Sequence, residues 1–138
     1  MAKSRFSVSA SQINMFIECP SAWALRYHYG YKSAPSEKMM RGVHFEDKVN
    51  HYLVGGEYED VTFGLSDEEL LTAEVTASLI KDIFGDKDFI LQKKLEDEGR
   101  LGFLDYSNDG HIVDLKTTGK TPSTPAKAHL RQLSLIHI

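Results

Sequence analysis

The sequence predicts an α/β domain: helices first, then a three-stranded meander, then a closing helix. Three observations carry this. Apolar residues recur at helical spacing as far as about residue 84. From Phe89 to Thr117 the period changes to strand-like alternation. Two turn signals, Asp97-Glu98-Gly99 and Asn108-Asp109-Gly110, cut that stretch into three.

The elements follow in order. Ser9-Ala10-Ser11-Gln12 reads as a capping box. Ile13, Phe16, Ile17, Trp23, Ala24 and Tyr27 continue at helical spacing, and Pro20 splits the run into two short helices or one kinked helix. Gly30 to Pro35 is a loop. A second helix spans Met39 to Leu53, with Met39, Val43, Val49 and Leu53 as apolar anchors, and Gly55-Gly56 ends it. Residues 57–65 fit a short strand or a loop. Ser66-Asp67-Glu68-Glu69 opens a third helix, its acids placed in the first turn as the helix dipole favours; it runs to about Phe84, and Gly85 stops it. Strands are expected over Phe89–Glu96, Arg100–Tyr106 and His111–Thr117. A loop holds Thr121–Pro125. A last helix starts at Ala126, with Leu130, Leu133 and Ile136 on one side.

With 138 residues the chain suits one domain. Its helical part covers about 9–85, and its meander and last helix about 88–138. The N-terminal helices are expected to cover one sheet face. Ending inside an amphipathic helix, the chain is expected to be C-terminally truncated. It has no apolar run of about 18 residues that could span a membrane. Its first residues lack the apolar stretch of a secretory signal. Cys19 is the one cysteine, which rules out an intrachain disulfide and fits a cytoplasmic location.

The net charge of −4 argues against indiscriminate nucleic-acid binding. The distribution is more informative. Residues 1–56 hold 7 basic and 4 acidic groups, residues 57–114 hold 5 and 16, and residues 115–138 hold 4 and none. Such an acidic middle is commonly a matter of solubility. Basic ends around a carboxylate site also suit a polyanion that needs a metal.

The residues that could carry chemistry lie in the meander. Asp105 follows Phe103-Leu104, and Asp114 and Lys116 sit within Ile112-Val113-Asp114-Leu115-Lys116. A hairpin brings Asp105 and Asp114 close, and alternation puts Asp114 and Lys116 on one face. An Asp–Lys pair at i, i+2 is commonplace on a solvated strand. Charges inside apolar strands, however, demand partners. Two carboxylates and a backbone carbonyl make a partial shell for a hard divalent cation, and a lysine beside them can hold a phosphate. Trp23, Tyr27 and Tyr31 read as packing residues, and His111 as a solvated residue at a strand start.

This constellation resembles the PD-(D/E)XK nuclease superfamily, and within it the RecB-like and phage exonuclease branch. Ser11 to Phe16 followed by Cys19-Pro20 and Trp23 resembles that branch's N-terminal helix. Gly42, with Glu46 four residues on, resembles its first motif; His44 has the wrong spacing for that position. Gly102–Asp105 resembles its GxxD motif, Asp114-Leu115-Lys116 its DxK motif, and His129 with Gln132 the start of its glutamine-containing helix.

The resemblance implies a restriction-endonuclease-like core with a mixed sheet. It implies Mg²⁺ or Mn²⁺ held by Asp105, Asp114, Glu46 and the Leu115 carbonyl, with Lys116 orienting water and stabilising phosphate. Gln132 would position the nucleic-acid end or the lysine. Arg131, Lys120 and Lys127 would be general phosphate contacts. Glu46 could otherwise be an exposed helix residue pairing with Lys48 or Asn50. The chain departs from the branch at Ile136, where a tyrosine is usual. Cys19 stands where some relatives place the first ligand of an iron–sulfur cluster, which this chain alone cannot build. A further strand usual in the fold is missing, which leaves a sheet edge suited to homo-oligomerisation.

The activity implied is hydrolysis of DNA phosphodiester bonds, exonuclease rather than endonuclease, in recombination, repair or phage DNA processing. Two other readings compete with it. One is an inactive nucleic-acid-binding or assembly module with a relic metal site. The other is a small metal-binding domain unrelated to nucleic acid.

Overall fold

The computed structural model describes residues 7–55, 64–120 and 122–137. It is an α/β chain with five α-helices and a four-stranded mixed sheet among those residues. The chain forms two compact units. One gathers Met1–Ser33, Gln92–Leu104 and Thr118–Ile138; the other gathers Ala34–Leu91 and Asp105–Thr117.

The first unit begins with strand β1, Val8–Ser9, and helix α1, Ala10–Glu18. Ser9 caps α1, its hydroxyl accepting from the Gln12 amide at 3.3 Å. The expected capping box is only half made. The Gln12 side chain donates to the Ser7 carbonyl at 2.8 Å. Helix α2, Pro20–Trp23, places its proline at the first turn, where the missing N–H costs nothing. It runs into a π-helical turn, Ala24–His28. Helix α5, Lys127–His137, docks on α1. There Arg131 Nε donates to Asn14 Oδ1 at 2.7 Å. One arginine read as a phosphate contact therefore has a structural partner.

Strands β2, Ile90–Asp97, and β3, Arg100–Ser107, are joined by Glu98 and Gly99. Both joining residues have positive φ, 44° and 83°, as a two-residue hairpin turn of the twist-matched kind requires. In the sheet β3 pairs with β2, with β1 and with β4, Ile112–Val113. β1 lies parallel to β3, with Val8 opposite Arg100 and Ser9 opposite Leu101. β4 is antiparallel, with Tyr106 opposite Val113 and Ser107 opposite Ile112. The meander is thus present. The parallel strand β1 makes the sheet mixed; at two residues it is too short to show a period.

The second unit is built on α3, Glu37–Val54, and α4, Asp67–Phe84. Ser66 and Glu69 form a full capping box on α4: Glu69 N–H donates to Ser66 Oγ and Ser66 N–H donates to Glu69 Oε2. The Ser66 amide first, and then the Arg41 guanidinium, hold the Glu69 carboxyl below its ordinary pKa. Ala73, Ala77, Ile80 and Phe84 form one buried stripe of α4. They pack with Phe45, Val49 and Tyr106, and Phe84 stacks on Phe89 with ring centroids 4.5 Å apart.

The face of α3 differs from the expected one. Val49 is buried and Leu53 packs against the core, but Met39 and Val43 are exposed. The helix instead buries Phe45 with Val49, which offer a ring and a β-branched side chain at i, i+4. Lys48 is buried too, with its ammonium 4.9 Å from the centre of the Tyr52 ring. Most of residues 57–65 fall outside the described part. No helix among the described residues is long and apolar enough to cross a membrane.

Candidate functional site

Asp105, Asp114, Leu115, Lys116 and Glu46 all belong to the second unit. Continuing the β3–β4 register one step would set Asp105 directly opposite Asp114. Facing like charges oppose that continuation. The ladder ends at Val113, and Asp114 to Thr118 are not in a strand. This is why the predicted strand over His111–Thr117 shrinks to two residues. The Asp105 carboxylate replaces the ladder with its own bond, accepting from the Leu115 amide at 2.7 Å. Leu115 therefore contributes its N–H to the site, in addition to the carbonyl that the resemblance implies.

Asp114 and Lys116 form an ion pair, so the two do share one side of the extended segment. Asp114 is the more covered of the two, its side chain at 19% exposure.

Asp105 has the clearest electrostatic signature. Its pKa is raised from the ordinary 3.8 to about 6. Burial is the main cause; the Leu115 amide opposes it, the charges of Asp114 and Glu46 add to it, and Lys116 opposes it. Asp105 thus feels each of the other three predicted groups. Glu46 is half-buried on α3, not an exposed helix residue. Lys48 and Asn50, the partners weighed for it, are both buried.

Helix α3 is brought close by two devices. A Cβ on Gly42 would lie 3.4 Å from Thr117 Oγ1, so the helix backbone nearly touches the chain just past Lys116. One turn after Glu46, Asn50 Oδ1 accepts from the Tyr106 hydroxyl at 2.7 Å. Tyr106 follows Asp105 directly, and both it and Asn50 are 0% exposed. This buried bond fixes the spacing of α3 and β3 beside the two carboxylates. The Asn50 amide nitrogen is buried without a hydrogen-bond partner. Sequence reasoning missed Asn50 and Tyr106. The signal was a polar Asn in the apolar stretch Val49-Asn50-His51-Tyr52-Leu53.

Gln132 lies on α5 in the first unit, partly buried, and is not in the unit that holds the carboxylates. His111 is exposed as expected and meets Phe84 edge-on. Cys19 is exposed.

The donors are all carboxylate oxygens, the right chemistry for a hard cation, and their mutual repulsion is what a cation would relieve. Among the described residues no three His, Cys, Asp or Glu form a group that could hold a metal ion by themselves. Mg²⁺ sites that share the metal with a phosphate commonly use one or two carboxylates, so this arrangement fits that kind of site. The chain matches no family model, no curated protein and no solved structure.

Proposed function

We propose that the chain is a metal-dependent deoxyribonuclease of the PD-(D/E)XK type, with a restriction-endonuclease-like core. The observation that carries this reading is the grouping of Glu46, Asp105, Asp114 and Lys116 around one β-hairpin and one helix, with Asp105 sensing the other three charges. The sequence motifs and the mixed sheet with its meander support it. Exonuclease over endonuclease follows from the resemblance alone.

One or two of these carboxylates, Asp105 with Asp114 or Glu46, would hold Mg²⁺ or Mn²⁺ together with the phosphate. The cation supplies charge neutralisation at the phosphate and lowers the pKa of water. The chain's own residues do the rest. Lys116 brings a cation beside Asp114, where it offsets charge building on the phosphate oxygens as water attacks phosphorus in line. The Leu115 N–H fixes the orientation of the Asp105 carboxylate.

The test is digestion of linear DNA in Mg²⁺ or Mn²⁺ by the wild type, Asp114→Ala and Lys116→Ala, with folding followed by circular dichroism. The reading expects both variants to fold and neither to cleave. Normal digestion by both variants overturns it.

A further inference from the structure

The aromatic segment after α2 is used by nothing described above. From Cys19 to Ser36 the chain has no acidic residue, and Arg26, His28 and Lys32 alternate with Tyr27, Tyr29 and Tyr31. The two ends of this aromatic run differ. Trp23 packs edge-on against Phe16 at 5.5 Å and lies 6.2 Å from Tyr27, which also carries Arg26 over its ring at 5.7 Å. Those two rings pack as the sequence suggests. Tyr29 and Tyr31 do not: they are 66% and 70% exposed.

Their exposure is built into the backbone. The π-helical turn is closed by Tyr29 N–H on the Ala24 carbonyl at 3.0 Å and by Tyr31 N–H on the Leu25 carbonyl at 2.9 Å. Between them Gly30 has φ of +76°, a conformation side chains disfavour. The turn therefore presents two tyrosines from a tethered backbone, and the His28 ring meets Tyr29 edge-on at 4.8 Å. The unit that bears them holds ten lysines and arginines against four acids.

We propose that Tyr29 and Tyr31 form a stacking platform for an unpaired nucleic-acid strand, with Arg26, His28 and Lys32 on its phosphates. The inference rests on the nuclease reading for its biological use and names the strand state that the enzyme engages. Bases inside a duplex hide their faces, whereas an unpaired base can lie on a tyrosine ring whatever its identity. The excess of positive charge suits the backbone that runs beside the bases.

The test is fluorescence anisotropy of a labelled oligothymidylate with the full chain in EDTA, so that cleavage plays no part. Replacing both tyrosines (Tyr29→Ala with Tyr31→Ala) is expected to weaken binding roughly 10–100-fold. It should leave the slope of log affinity against log salt unchanged. Tyr29→Phe with Tyr31→Phe keeps the rings and should restore binding. Arg26→Ala with Lys32→Ala should lower the salt slope by about 1.4, the share of two phosphates on a single strand. Digestion of linear DNA in Mg²⁺ is followed separately for the same tyrosine variants, so loss of cleavage and loss of stacking are read apart. Wild-type affinity in the double alanine variant overturns the proposal. So does a dimer in sedimentation that the alanine variant abolishes, which would make the platform a contact between copies.

Discussion

The two units of this chain carry opposite charge. One has ten basic and four acidic residues, the other six and sixteen. The whole-chain value of −4 conceals this completely. A polyanion is drawn to the first unit by bulk charge and repelled by the second. The second unit instead concentrates carboxylates beside a lysine, where a cation can mediate. The contrast teaches that holding a phosphate backbone and gathering a cation beside it make opposite electrostatic demands; under the proposed nuclease reading, these would fall to different stretches of this chain.

The largest expected effect breaks the contrast from the acidic side. Asp105→Asn should reduce cleavage on the order of a thousandfold, equivalent to several kcal/mol of lost transition-state stabilisation. Oligonucleotide binding in EDTA should stay as in the wild type. The tyrosine pair should behave in the opposite way, raising KM for single-stranded substrate with little change in kcat. Steady-state kinetics on both variants reads the two responses separately. A matched loss of kcat in both would mean that the units do not divide the work.

A smaller effect probes how the acidic unit holds its carboxylates in register. Tyr106→Phe removes one hydroxyl and leaves Asn50 with neither polar atom paired. Such a change should cost about 1–3 kcal/mol in urea unfolding. Adding Asn50→Leu should recover most of that cost, because removing both partners of a buried hydrogen bond is nearly neutral. Mn²⁺ affinity, by calorimetric titration, should stay weakened in the double variant even where stability returns. If affinity recovers together with stability, the bond serves the fold alone.

Much of this was legible in the sequence, for identifiable reasons. Ser66 to Gly85 carries a capping box, a stripe at helical spacing and a terminal glycine, so three local signals agree on α4. Asp105, Asp114 and Lys116 stood out as charges in apolar strands, and the structure does bring them together. The rest depended on tertiary contacts. β1 is two residues long and exists only because β3 has an edge to offer it. The buried face of α3 could be read two ways from its period, and packing on α4 chose Phe45 over Met39. The ladder after Val113 stops because two carboxylates would face each other there, a conflict visible only once the register is known. Tyr31 read as a packing residue because the closing hydrogen bonds of a π-helical turn leave no mark on composition.

The smallest effect concerns pH, and its sign with and without added Mn²⁺ tests the proposed metal site. Folded Asp105 holds its proton up to about pH 6, against 3.8 for an ordinary aspartate. Between those values the folded chain binds more protons than the unfolded chain, so stability falls as pH rises. The contribution is fully present below about pH 4 and is lost as pH passes through about 6. Because Asp105 is only partly buried, solvent screening keeps the effect to about 1 kcal/mol. General repulsion among the sixteen acids of its unit acts in the same direction, so the comparison must be with Asp105→Asn. Urea midpoints in EDTA at pH 4.5 and 7 should drop further for the wild type than for that variant. Excess Mn²⁺ should reverse the difference, since a cation favours the ionised carboxylate and its binding strengthens as the proton leaves. An identical pH response in the two proteins, with and without Mn²⁺, would mean that Asp105 neither carries the raised pKa nor touches the metal.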